Sequence, residues 1–209
     1  MTTLCAYRDP LGHIWMAADS RVIVGERIAH TDHCKIRVLQ AGKKYRLVVG
    51  VAGDVDAMSI LDRIELPEAH EGETAVEYLR GGFLPAWKTA AAELGLVGKN
   101  SQGIEFTNAC LLISCLGQIC TFGEYGTVMV HPHYESIGSG SQFALGAMSV
   151  MNGLEDCEGL TAVYLAMKAA ARFDPYTSFP IYFYEPDLGE IVKLSEDKRR
   201  YDTYPLSDK

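Results

Sequence analysis

The stretch Met1-Thr2-Thr3-Leu4-Cys5-Ala6-Tyr7-Arg8-Asp9-Pro10-Leu11-Gly12-His13-Ile14-Trp15-Met16-Ala17-Ala18-Asp19-Ser20-Arg21 decides how the rest of the chain is read. Leu4 to Tyr7 and His13 to Ala18 are strand-length runs, and Asp9-Pro10-Leu11-Gly12 between them carries turn chemistry, so the spacing predicts a β-hairpin. Asp19-Ser20-Arg21 breaks the second strand. Val22 to Ala29 continue extended past Gly25, and Lys35 to Leu39 and Tyr45 to Val51 add further β-branched segments. The chain opens all-β.

Past Gly50-Val51-Ala52-Gly53 the period changes. Asp54 to Ile64 read as a helix, and Glu73 to Leu94 as a longer one, because Val76, Leu79, Phe83, Trp87, Ala91 and Leu94 keep a helical period that Gly81-Gly82 should weaken or kink. Strands return at Thr107 to Cys115 and Ile119 to Phe122. Two more helical stripes follow, Phe143 to Met151 and Leu160 to Ala171, and Pro180 to Tyr184 with Glu190 to Leu194 close the chain as a strand pair. Strands then two helices, twice over, then strands, with no βαβ alternation, predict an α+β fold whose antiparallel sheets carry helices on their outer faces. The whole of 1–209 reads as one domain, with 195–209 a polar tail.

Composition narrows the function classes. Twenty-seven acidic against nineteen basic side chains leave a net charge of −8, which argues against a nucleic-acid surface, since phosphate binding needs a cationic footprint. No apolar run approaches the ~18 residues that span a bilayer, and the amino end lacks the basic-then-apolar order of a secretory signal. The six cysteines form no C-x-x-C pair and lie mostly in apolar runs, so they read as free buried thiols in a reducing cytoplasm, with no metal expected. The sequence has no H-E-x-x-H, phosphate-binding loop, G-x-S-x-G elbow or dinucleotide fingerprint, and no cofactor is expected. His131-Pro132-His133 reads as a turn between strands.

What remains is the amino terminus. Removal of Met1 would expose Thr2, which carries a hydroxyl nucleophile and an α-amine of pKa about 7.7 to 8.0 that can act as its base. Asp19 ends the second strand and Lys35 begins another, so a small antiparallel sheet can aim both at the start of the first strand. Lysine beside the amine would favour its neutral form, and the carboxylate would hold the ammonium.

Five segments, read as a set, resemble the proteasome β-subunit-type N-terminal-nucleophile hydrolases, and most closely the HslV-type subunits and the short phage and bacterial β-proteasome homologues. They are Met1-Thr2-Thr3; Ala17-Ala18-Asp19-Ser20-Arg21 with Lys35-Ile36; Gly50-Val51-Ala52-Gly53; Ser136-Ile137-Gly138-Ser139-Gly140-Ser141; and Asp174-Pro175-Tyr176-Thr177. The resemblance implies a four-layer αββα sandwich and a threonine peptidase subunit of a homo-oligomeric ring or double ring, cleaving peptides or unfolded proteins through an acyl-enzyme on Thr2. An AAA+ unfoldase is the partner that such rings use on folded proteins. By the same resemblance Asp19 and Lys35 tune Thr2, Gly50 donates to the oxyanion, Ser139 bonds the threonine amine, and Asp174 and Thr177 support Ser139. Val22, Val49 and residues around Ala52-Gly53 would wall the substrate pocket. Two other readings keep the fold: a catalytically silent ring used as scaffold or binding chamber, and a hydrolase of small amides.

Overall fold

A computed structural model describes residues 2–25, 27–154 and 156–195; the expected tail, beyond Ser195, lies outside them. Strands β1 (Thr3–Arg8) and β2 (Ile14–Asp19) form the expected hairpin, with Leu4 opposite Ala18 and Arg8 opposite Ile14. Its turn is tied by Asp9, whose carboxylate accepts the His13 N–H at 2.8 Å and the Trp15 indole N–H at 3.0 Å. The run past Asp19 is two strands, not one: β3 (Val22–Val24) and β4 (Arg27–His30) fold on each other about Gly25, whose φ of +63° favours glycine. Next come β5 (Ile36–Ala41) and β6 (Tyr45–Gly53), then a 3-10 turn, Val55–Ala57, capped by the Asp54 side chain, and α1 (Met58–Leu61).

The long helix predicted over 73–94 is interrupted. Helix α2 (Ala75–Tyr78) starts on a Thr74/Glu77 capping box, Leu79–Phe83 form a π turn, and α3 (Leu84–Glu93) continues from it. Pro85 explains the irregularity. It has no N–H to give and its ring crowds the carbonyl four residues back, at Gly81, so the ladder widens where two glycines permit it.

The remaining elements are β7 (Gly98–Lys99), β8 (Glu105–Phe106), β9 (Ala109–Cys115), β10 (Gln118–Phe122), β11 (Val128–His131), β12 (Tyr134–Gly138), α4 (Ser141–Met151), α5 (Gly159–Phe173), β13 (Ile181–Glu185) and β14 (Glu190–Leu194). Two five-stranded antiparallel sheets result, in the orders β12-β1-β2-β13-β14 and β11-β10-β9-β6-β5.

Side-chain alternation assigns each sheet two buried faces. Leu4, Ala6, Met16 and Ala18 of the first sheet meet Ile36, Val48, Ala52 and Leu112 of the second in a layer between the sheets. Cys5, Tyr7, Trp15 and Ala17 point the other way, onto Ala144, Met148, Val163 and Met167 of α4 and α5. Leu47, Val49, Val51 and Ile113 face Tyr78, Leu79, Phe83 and Trp87 on the opposite outer side. The architecture is the four-layer αββα sandwich expected. Strands buried on both faces lose the polar alternation of a half-exposed sheet, which is why all six residues of β2 are buried.

Candidate active site

Thr2 sits one residue before β1, and its surroundings come from the ends of β2, β6, β12 and α5. It is 5% exposed. Its carbonyl accepts the Ser139 N–H at 2.8 Å, an approach that depends on Gly138: with φ of +97°, a Cβ there would lie 1.9 Å from the Thr2 oxygen. Only glycine fits.

Beneath it lies a buried ion pair. Lys35 Nζ donates to Asp19 Oδ1 at 2.7 Å, the same oxygen accepts the Thr3 N–H at 2.9 Å, and Oδ2 accepts the Arg21 N–H at 3.0 Å. Burial pulls the Lys35 ammonium below the usual lysine range, against the attraction of Asp19. Burial likewise pushes the Asp19 carboxyl up, while Lys35 and the two backbone donors oppose it. Both shifts express the cost of taking charge out of water.

On the other side, α5 ends at Phe173 because Asp174 turns extended ahead of Pro175. Asp174 Oδ2 accepts Ser139 Oγ–H at 2.8 Å and Thr177 Oγ1–H at 2.5 Å, and Oδ1 accepts the Tyr176 N–H at 3.2 Å. Since Thr177 spends its proton on the carboxylate, its oxygen must accept from Thr3 Oγ1, 2.5 Å away. Thr3 Oγ1 in turn accepts the Gly140 N–H at 3.1 Å. The Thr3 hydroxyl is thus fully engaged. Ser139 leaves the cap of α4 to Gly140, which offers no side chain. Its Oγ also lies 3.4 Å from the Thr2 carbonyl oxygen.

A cavity of about 220 Å³ opens beside Thr2 and Lys35, walled by Val22, Val51, Gly53, Val55 and Met58, with Arg21 at its side. Three sequence expectations need correction here. Gly50 is not on the cavity: a Cβ on it would meet Leu4 Cδ2 at 2.5 Å in the layer between the sheets. Its N–H is also committed, because strand amides alternate and the neighbouring Val51 N–H donates to Lys35 O on the β5 side, which turns Gly50 toward β9. Gly53 has the parity of Val51, lies on the cavity, and faces the β5 side where β5 has not yet begun. Val49 is wholly buried against the helices and Ala52 lies between the sheets, so neither walls the cavity, whereas Val22 does. Val51, Val55 and Met58 do so in their place; counting residues in twos back from Gly53 would have found Val51.

No family model matches the chain. The HslV protease subunit of Staphylococcus carnosus is 26% identical over 181 residues, 85% of this chain and 92% of that protein. The solved structure of Thiobacillus denitrificans BPH superposes with a TM-score of 0.71 at 23% identity, covering 94% of this chain and all of that one. HslV from Trypanosoma brucei gives a TM-score of 0.61 at 21% identity, over 92% of this chain. The chain is similar to the HslV-like, proteasome β-type N-terminal-nucleophile hydrolases. In this HslV-like chain, no group of three or more His, Cys, Asp or Glu among the described residues could hold a metal ion, and no helix among them is long and apolar enough to cross a membrane.

Proposed function

We propose that the chain is a single-domain threonine peptidase subunit, in which loss of Met1 frees the Thr2 amine and Thr2 Oγ1 attacks a peptide carbonyl. The observation that carries this reading is the placement of Thr2 on a cavity with Lys35, over the Asp19 ion pair and against Ser139. The Thr2 hydroxyl proton passes to the α-amine, which delivers it to the leaving peptide nitrogen. Water then attacks the ester, again with the amine as base, and releases the second product. Gly53 N–H is the oxyanion donor in this scheme, replacing Gly50. Lys35, with its depressed pKa, keeps positive charge beside the amine and favours its neutral form; Ser139, held by Asp174 and Thr177, orients it.

The cavity is lined by Val22, Ile23, Val24, Val51, Val55 and Met58 beside the polar Arg21, Lys35 and Asp54, and its apolar majority suits an apolar side chain next to the cleaved bond. Assembly into a ring or double ring, feeding by an AAA+ unfoldase and work in the cytoplasm belong to the same proposal, supported by the HslV relatives.

The test is intact mass after incubation with a peptide epoxyketone, a warhead that consumes both the amine and the hydroxyl of a terminal threonine; BPH has been solved in complex with one such compound, epoxomicin. A single adduct on the chain lacking Met1, lost in Thr2→Ala and formed faster with an apolar than an acidic side chain beside the warhead, is the expected result. A processed chain that no warhead labels would leave the silent ring as the better reading.

A further inference from the structure

The segment 31–35, between β4 and β5, has no regular structure, yet it delivers Lys35 to Asp19 within 2.7 Å. Part of its hold is local: Ser20 Oγ donates to Thr31 O at 2.9 Å, and the His33 N–H donates to Ser20 O at 3.0 Å. The rest reaches across to the other sheet. Tyr182 Oη of β13 donates to Asp32 Oδ1 at 2.5 Å, and Lys193 Nζ of β14 donates to Asp32 Oδ2 at 2.5 Å. Lys193 Nζ also stands 6.0 Å from the Tyr182 ring centre, so the three side chains form one closed group.

This arrangement gives both members of the buried ion pair a common reference. Asp19 lies in β2, which is hydrogen-bonded to β13 with Ile181 opposite Asp19. Asp32 is tied to the next residue of the same strand, Tyr182, and Lys35 follows Asp32 by three residues. Lys35 itself belongs to the start of the second sheet, whose Val51 N–H bonds its carbonyl. The two Ser20 bonds hold 31–33 beside Asp19, and the cross-sheet tie adds a second, independent anchor on the same segment from β13 and β14.

We propose that Asp32, clasped by Tyr182 and Lys193, is a positioning residue that sets Lys35 against Asp19 and thereby the reactivity of Thr2. The inference rests on the reading of Thr2 as the nucleophile. Asp32 touches no reacting atom; it acts through the backbone of 32–35. Charge-assisted bonds at both carboxylate oxygens make the clasp stronger than an ordinary surface pair.

The experiment measures the rate of epoxyketone adduct formation against probe concentration for the processed wild-type chain and for Asp32→Asn, Lys193→Met, Tyr182→Phe and Asp32→Glu. Side chains of Asp32 and Lys193 are 50% and 42% exposed, so these variants are expected to fold, and a thermal midpoint checks that they do. The expected result is a saturating rate lowered about threefold to tenfold in Asp32→Asn and Lys193→Met, the scale of one or two such bonds. The half-saturating probe concentration stays unchanged, and Asp32→Glu recovers part of the rate. A role in stability alone would lower the thermal midpoint and leave the saturating rate intact. Wild-type labelling with an unaffected rate in Asp32→Asn and Lys193→Met overturns this proposal and leaves the Thr2 reading standing. A processed wild-type chain that takes no label overturns both.

Discussion

Asp19 and Lys35 are an expensive pair for the fold to keep. Both are almost completely buried, and burial works against the charged form of each. Breaking such a pair from one side strands a charge, whereas replacing both members with apolar groups of similar size is often neutral or stabilising. Lys35→Met or Asp19→Leu alone should therefore cost about 3 to 5 kcal/mol in urea unfolding, and the double variant should recover most of it, on the precedent of other buried pairs. The double variant should nonetheless take no epoxyketone. A double variant as unstable as the singles would mean that the site is held by the pair itself rather than by the strands around it. At this scale the sequence was informative about residue type and less so about direction. Thr2, Asp19, Lys35, Ser139, Asp174 and Thr177 share one corner, but Gly50 and Gly53, three apart on one strand, point to opposite sides. A motif that contains both does not say which is which; the pairing partner of Val51 does.

Elements were legible where a period ran long enough. Helices α4 and α5 and strands β1, β2, β5, β6, β13 and β14 lie where their patterns put them. Strands β7 and β8, two residues each, were missed, and β11 and β12 were implied only by the turn read between them at His131-Pro132-His133, without bounds of their own. The π turn was visible only as a doubled glycine. Gly81 there is exposed, has an ordinary negative φ, and a Cβ on it would meet nothing within 4 Å, while Gly82 would meet Pro67 Cγ at 3.0 Å. Gly81→Ala should then stabilise the chain by roughly 0.5 to 1 kcal/mol, through lost freedom of the unfolded chain, with labelling of Thr2 unchanged. A lower urea midpoint would show that the π turn needs glycine for its backbone and not only for its space.

The whole molecule has three apolar layers, and the cysteines report on two of them. Cys5 and Cys157 lie under α4 and α5, Cys115 and Cys120 under α2 and α3, and the layer between the sheets contains no fully buried cysteine. All six thiols are free. Burial pushes Cys5 and Cys115 up to about 12 and Cys120 to about 11, so little thiolate exists in the folded state even at pH 9, and alkylation must wait for opening. Since both sheets share the central layer, Cys5 and Cys115 should become reactive together as urea rises, at pH 8, followed site by site by mass spectrometry. Divergent protection would show that one helical layer opens alone. That the chain would form sheets with helices outside was legible from element order, and the layered arrangement was implied by the family resemblance. The small β3–β4 hairpin beside the cavity was not, because a run of extended residues does not announce where it doubles back.

Two adjacent threonines begin the described chain, identical in composition and different in circumstance. Thr2 lines a cavity, whereas the hydroxyl of Thr3 is locked into a relay from Gly140 to Asp174. Trimming by one residue and trimming by two would both leave a threonine-terminated chain with a free amine, indistinguishable by the chemistry of the end group. The over-trimmed chain should be inert, its hydroxyl already spoken for, and mass spectra of a mixed preparation should find the label only on the longer form. On the reading of Thr2 as nucleophile, the fold would accept only one of these two ends.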